Sequence, residues 1–282
     1  MIEIDNKILS DVAAGFTIPA KPDILQALQD ELNHEPELYR VADIIAADVA
    51  TSAAVLKIIN SPYYGLARTI SDIRQAVMFL GLENITSLVT GYLLKQAYDQ
   101  SKCSLPLNRF WDNANDIANV SCIIAQHLKS PLPPENLHLI GLFHDAGTPA
   151  MAIRFEGYTH LLQEHRESDS IPLIHKEEKK YKTNHAVVGY YLATSWNLPK
   201  QICQIILQHH SNDFFNASND KFEHSCFACL RLAENLVHVA RHFRPEPQWH
   251  AIEQQVLDIL QLDEDDFQDL KEDVEEYLIS SH

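Results

Sequence analysis

Apolar residues recur every three or four positions along most of the chain. After Pro22-Asp23, Ile24, Leu25, Leu28 and Leu32 form one stripe. Proline is tolerated in a first helical turn, and such a stripe predicts an amphipathic helix. Val41, Ile44, Ile45 and Val49 extend the pattern over residues 39–50. Thr51-Ser52 has the chemistry of an N-cap for a third helix containing Val55, Leu56, Ile58 and Ile59. Ser61-Pro62-Tyr63-Tyr64-Gly65 breaks that helix. Ser71-Asp72 opens the next, with Ile73, Ala76, Val77 and Leu80 on one face, and Gly81 closes it. Residues 84–100 form a further helix. Short helices joined by short connections predict a compact bundle.

The second half continues the periodicity. Helices are predicted over 111–127 and 134–146, separated by Ser130-Pro131-Leu132-Pro133-Pro134. Residues 155–182 are polar and less regular, and read as a helix followed by an exposed charged loop. Helices return over 184–196, 199–208 and 222–239. Arg244-Pro245-Glu246-Pro247 is a linker signal. Beyond it, Asp263-Glu264-Asp265-Asp266 precedes Phe267, Leu270, Val274, Tyr277 and Leu278. This predicts a last amphipathic helix with acids at its positive dipole end, a better reading of the acidic run than a docking strip. The expected organisation is an all-α chain: an N-terminal helical lobe over 1–105, a helical core over 106–243 and a C-terminal acidic helical extension over 244–282.

Composition narrows the function. The 282 residues suffice for a sizeable core, 46% are hydrophobic, and only 8 are glycine. The formal net charge of −17 opposes binding to nucleic acid or anionic membranes and suits a basic protein partner. Met1-Ile2-Glu3-Ile4-Asp5 lacks the features of a secretory signal, and no apolar run reaches membrane-spanning length. The five cysteines do not suggest a disulfide framework, so a cytoplasmic location is expected. Cys226 and Cys229 have the spacing of half a zinc site but no second pair, and read as small buried residues.

Candidate chemistry centres on His144-Asp145. The pair ends the apolar run Leu137-His138-Leu139-Ile140-Gly141-Leu142-Phe143, on the last turn of a helix that Gly147 would stop through a left-handed conformation. Further candidate ligands are His185, His209, His210 and Glu234, each on another predicted helix. With 15 histidines in the chain, some adjacency arises by chance. A mixed imidazole and carboxylate set suits Fe, Mn, Ni, Co or Zn, and such an ion can activate water and polarise a phosphoryl group. Tyr63-Tyr64, after Asn60-Ser61, is open between a recognition surface and a plug at a helix junction.

Leu139-Ile140-Gly141-Leu142-Phe143-His144-Asp145-Ala146-Gly147 resembles the central motif of the HD superfamily. The segment Ala53-Ala54-Val55-Leu56-Lys57-Ile58-Ile59-Asn60-Ser61-Pro62-Tyr63-Tyr64-Gly65, and Ile70 to Leu82 with its Leu80-Gly81-Leu82, are similar to the HDOD family, a subset associated with bacterial signalling. The resemblance runs from about Phe16 to His210, with Glu234 beyond it. It implies an HD-type helical core. It also shows departures from HD hydrolases. Asn113 occupies the position of the first metal-ligand His, Gly147-Thr148 replaces the frequent Gly-Lys, and Glu234 stands where the late Asp ligand belongs. His185, His209 and His210 resemble the extra histidines of HD-GYP phosphodiesterases, yet Ser211-Asn212-Asp213 replaces the Gly-Tyr-Pro stretch.

The resemblance and its departures together imply a signalling regulator with a degenerate site. It would act through a protein partner or a bound ligand, a nucleotide among the candidates, with a divalent transition metal held weakly or not at all. The alternative is a metal-dependent phosphodiesterase or phosphomonoesterase in which His144 and Asp145 act.

Overall fold

The computed structural model describes residues 15–61, 64, 66–167, 171–216 and 221–280. Every regular element among them is helical. The first part of the chain holds α1 (Asp23–Leu32), α2 (Leu38–Ala46), α3 (Val49–Ile59), α4 (Ile73–Leu80) and α5 (Leu82–Gln96). The central part holds α6 (Leu107–His127), α7 (Pro134–Phe143), α8 (Gly147–Arg154), α9 (Tyr158–Glu167), α10 (Leu173–Tyr181), α11 (His185–Ser195), α12 (Lys200–Gln208) and α13 (Lys221–His242). Two more, α14 (Glu253–Leu260) and α15 (Glu264–Ser280), complete the chain. No single described helix is long and apolar enough to cross a membrane.

The predicted stripes are the core. Leu25 and Leu28 of α1, Val41 and Ile45 of α2, and Ile73, Ala76 and Val77 of α4 are buried together. One apolar core continues from them into α6, α7 and α13 and out to Leu270, Val274 and Leu278 of α15. The long helices α6 and α7 pack side by side, α5 packs on α7, and α13 and α15 pack on α6. Ala118 of α6 lies so close to Gly141 of α7 that a Cβ on Gly141 would overlap its backbone. The five cysteines are free and buried, and Cys226 and Cys229 are packing residues on α13 as expected.

Several local expectations are corrected. The pattern through residues 39–50 is two helices. Asp48 ends the run and caps α3, its carboxylate accepting from the Thr51 backbone N–H at 2.6 Å. Capping thus falls to Asp48, Thr51 is buried inside the first turn, and Val49 is 80% exposed. Gly147 does not stop a helix in a left-handed conformation; it begins α8. Its missing side chain serves packing, because a Cβ there would overlap the His185 carbonyl and the Gly189 nitrogen of α11. The charged stretch expected as a loop after 155 forms α10. The Arg244-Pro245-Glu246-Pro247 linker is docked, since the Glu246 N–H donates to Asn235 at 3.0 Å.

Asn60 has a structural task. Its side chain donates to the Ile70 carbonyl and accepts from the Ile70 N–H, at 2.7 and 2.8 Å, and so pins the ends of the loop between α3 and α4. Tyr64 packs against the core. Tyr63 lies outside the described residues, so the question raised for that pair is answered for Tyr64 alone.

Candidate metal centre

Four helix ends converge on the turn between α7 and α8, where His144 and Asp145 sit. His185 opens α11, placed by Asn184, whose side chain caps the helix by accepting from the Val187 N–H at 2.9 Å. His209 and His210 follow α12. Glu234 comes from the middle of α13.

Asp145, His185, His209 and His210 each offer one ligand atom, and the four atoms lie within 4.8 Å of one another. Asp145 Oδ1 is 3.2 Å from His185 Nε2 and 3.5 Å from His209 Nε2. His185 Nε2 and His210 Nε2 face each other at 2.9 Å. His144 Nε2 lies beside this group, 3.5 Å from Asp145 and 3.7 Å from Glu234. Of the six sequence-predicted ligands, four form the cluster and two flank it.

The tautomers follow from the outer partners. His144 Nδ1 faces the Gly141 carbonyl and His209 Nδ1 faces the Ile206 carbonyl, both at 2.7 Å. A carbonyl only accepts, so each Nδ1 carries a proton and donates it. His185 Nδ1 likewise donates to Glu177 Oε2 at 2.8 Å. In the neutral His185 and His209 rings the Nε2 lone pairs therefore face the Asp145 carboxylate, and His185 Nε2 also shares a hydrogen bond with His210 Nε2. His209 Nε2 is buried and has no hydrogen-bond partner among the described residues. Lone pairs facing a carboxylate call for a cation between them, and imidazole nitrogens fixed through the other ring N–H are typical of metal ligands. The donor set fits a divalent transition metal.

Electrostatics agree. Burial opposes the charge on Asp145, but the neighbouring His144, His185 and His209 outweigh it and hold the carboxyl well below the usual range. Burial would lower His185, yet the Glu177 and Asp145 carboxylates overcome it and raise its pKa to about 10. His209 and His210 are lowered, chiefly by burial. Without a metal, the proton on His185 is the cation of the cluster.

Glu177 is the residue that sequence reasoning missed. It is fully buried in α10, within the stretch expected to be exposed. It accepts from the His185 ring, from the His185 backbone N–H at 3.2 Å, and from the Tyr158 hydroxyl. Burial and the Glu177 charge hold the Tyr158 hydroxyl protonated, its pKa well above the ordinary value. The available signal was that a ligand His needs an outer acceptor. Thr148, at the position of the expected lysine, is buried near Tyr158.

The other departures have different surroundings. Glu234 is tied to Arg231 at 2.9 Å, and Arg231 also binds Glu246 at 3.2 Å and donates to the His209 carbonyl at 3.2 Å. Asn113 accepts from Arg241, which also pairs with Asp116. Arg241 lies seven residues beyond Glu234 on α13, about 10 Å of helical rise.

Helical architecture and a His-Asp centre at the junction of four helices define an HD-type fold. The model of the HDOD domain family matches residues 18–212, and the chain belongs to that family. Its fold is similar to an HDOD domain protein of unknown function from Geobacter sulfurreducens, with 23% identity, a TM-score of 0.65, and coverage of 98% of this chain and 99% of that one. A structure from Shewanella amazonensis whose name carries a provisional metal-dependent phosphohydrolase assignment matches with 19% identity, a TM-score of 0.68, and 96% coverage of both chains. A protein from Marinobacter aquaeolei, provisionally named for signal transduction, matches with 19% identity and a TM-score of 0.67 over 99% of this chain and 64% of that one. An uncharacterized protein from Treponema pallidum is 25% identical over 199 residues. That match takes in 69% of this chain but only 38% of the relative's length.

Proposed function

We propose that this chain is a regulatory module of bacterial signalling whose Asp145, His185, His209 and His210 hold one divalent transition metal, and whose output is contact with a protein partner rather than phosphoester turnover. The observation that carries the reading is the inequality of the two sides of the site. One side has four converging donors, two of them, His185 and His209, with their outer partners in place. The other side has Glu234 neutralised by Arg231 and Asn113 engaged by Arg241. Four protein donors around one ion is the count of a structural site, whereas catalytic sites keep a position open. The nearest guanidinium, Arg231, is committed to two carboxylates and a carbonyl, so it is poorly placed to hold a phosphate. When bound, a metal would supply a Lewis acid and a fixed charge at Asp145. In this reading its role is to lock α8, α11 and α12 together.

The partner face would belong to the N-terminal lobe. Leu38 and Tyr39 of α2, Val49 of α3, and Met78 and Phe79 of α4 are all exposed, and large exposed apolar side chains in number favour protein contact.

Phosphohydrolase activity is the second reading. It is favoured by the one-third exposure of the Asp145 side chain, which gives a small ligand access to the cluster. One experiment separates the two. The protein is analysed for bound metal as purified, then assayed with Mn, Fe, Co, Ni and Mg on nucleotides, cyclic dinucleotides and a chromogenic phosphodiester. The regulatory reading expects bound metal without turnover. Turnover of ~1 per second or more, lost in Asp145→Ala, would overturn it.

A further inference from the structure

A groove of about 470 Å3 lies at the far end of α7 from the His-Asp cluster. Phe79 and Leu80 of α4 line it, together with the run Pro131-Leu132-Pro133-Pro134 that leads into the first turn of α7. Glu135, which also lines it, is nine residues before His144, about 13 Å of helical rise. Three prolines in four positions fix the backbone dihedrals of that run. The groove therefore has its shape before anything enters it, and little ordering cost is left for binding. Phe79 is 53% exposed, and Met78 beside it on α4 is exposed as well.

Among the described residues that line the groove, Glu135 is the only charged one. It is 3% exposed. Burial pushes its carboxyl up, while the neighbouring Tyr64 hydroxyl favours the charged form. No Lys, Arg or His among the described residues pairs with it. An acid in the first turn of a helix complements the dipole, but it does so equally well from solvent. Here the acid sits among prolines and apolar side chains instead, where a carboxylate without a counter-ion is costly. A cation entering through the groove would supply that counter-ion.

The charge of the whole chain acts in the same direction. A net charge of −17 attracts a basic partner at long range and repels an acidic one. The local carboxylate and the general field therefore select the same sign, and the apolar lining selects a side chain to sit beside the cation.

We propose that this groove receives a segment of a basic protein partner, with an apolar side chain seated against Phe79 and Leu132 and an arginine reaching the Glu135 carboxylate. Arginine suits the position better than lysine. Its planar fork meets a carboxylate through two parallel hydrogen bonds, and it is more weakly hydrated than an ammonium group. Interfaces concentrate their energy in such anchors, an arginine or a large apolar group filling a pocket. The inference rests on the reading that the chain acts through protein contact, and gives that contact a place and a sign of charge.

The test is selection of random phage-displayed dodecapeptides on the full chain, after depletion on Phe79→Ser, a change outside the buried core. Enriched peptides should carry an arginine flanked by Leu, Phe or Met. In fluorescence anisotropy, replacing that arginine by citrulline should weaken binding about tenfold or more, and so should Glu135→Gln. The two changes together should cost little more than either alone, as a direct pair requires. Circular dichroism and thermal midpoints establish that each variant is folded, and the citrulline arm needs no change to the protein. Absence of enrichment, enrichment without a basic residue, or equal binding by the parent and Glu135→Gln would overturn the proposal. So would a dimer in solution that dissociates in Phe79→Ser, which would assign the groove to a second copy of the chain. Phosphoester turnover, measured on the same protein, reads the regulatory proposal separately. Turnover with arginine peptides still bound at the groove overturns that reading alone, and no peptide with no turnover overturns only this one.

Discussion

The two sides of the His-Asp site each carry candidate ligands named in the sequence but are not equally supported. On the α10–α11–α12 side, His185 has Glu177 behind it and Glu177 has Tyr158 behind it, while His209 is fixed by the Ile206 carbonyl. On the α6–α13 side, Glu234 is turned to Arg231 and Asn113 to Arg241. The number of histidines and acids in a sequence therefore says little about which of them can hold an ion. What separates the two sides is the second layer, which fixes tautomers on one and supplies competing cations on the other.

The comparison breaks most directly at its shared carboxylate. Asp145 is the group toward which the histidine Nε2 atoms converge. Asp145→Ala is expected to reduce bound metal to background after dialysis, measured by elemental analysis against the parent protein. Metal retained at the parent's level would show that the four-donor cluster is not the site.

Gly147→Ala is the next largest. Its Cβ would overlap the backbone of His185 and Gly189, and backbone cannot yield as a side-chain tip does. Overpacking of this kind costs about 1–3 kcal/mol. Chemical denaturation should show that loss, with metal binding weakened as α8 and α11 separate. A loss under ~0.5 kcal/mol, the range of an ordinary surface change, would refute the close-approach argument.

Glu177→Gln tests the wiring itself. It keeps the shape but removes the charge that orients and polarises His185. Loss of an outer partner costs about 10–100-fold in metal affinity, so a shift of that size is expected in a competition titration with a chelating dye. Tyr158→Phe, one step further out, should do less. Equal affinity in the parent and Glu177→Gln would reduce Glu177 to a packing role.

Much of this was legible in the sequence, and the parts that were not share a cause. The helices are written in 3.6-residue periodicity, and the His144-Asp145 motif and the Asn60 segment carry the family resemblance. Val49 was misplaced because its spacing continues the α2 stripe while the Asp48 cap, a local hydrogen bond, ends the helix. Gly147 is legible as special but not in kind: a glycine serves a left-handed turn or a close approach, and only the position of α11 decides which. Glu177 was invisible because Lys176-Glu177-Glu178-Lys179-Lys180 reads as a solvated face. Its burial depends on His185, eight residues on, needing an acceptor. In each case the missing information was the identity of a neighbour from another helix.

The region beyond the cluster offers a pH test. Burial and Lys95 lower His138 to about 4, against about 6.5 for an unperturbed histidine. A depressed histidine favours the folded state above the unfolded value. This contribution is complete above about pH 6.5 and is lost as pH falls toward 4, amounting to about 1–3 kcal/mol over that window. His138→Gln should flatten the stability profile between those limits. A profile as steep as the parent's would mean that other groups carry the acid sensitivity.

The smallest effect is expected from the change that sequence comparison makes most tempting. Asn113→His restores the residue type of the missing first ligand. In this chain, however, position 113 faces Arg241, and Arg241 is also held by Asp116. An imidazole placed there meets a guanidinium in place of an open coordination position, and Glu234 stays bound to Arg231. Metal stoichiometry should therefore remain near that of the parent, with no second ion gained. Arg241→Ala combined with Asn113→His removes the competing cation and is the fairer restoration, but Arg231 would still neutralise Glu234. A full second equivalent of metal in Asn113→His alone would show that the two sides are closer to equal than their hydrogen bonds make them, and would return weight to the phosphohydrolase reading.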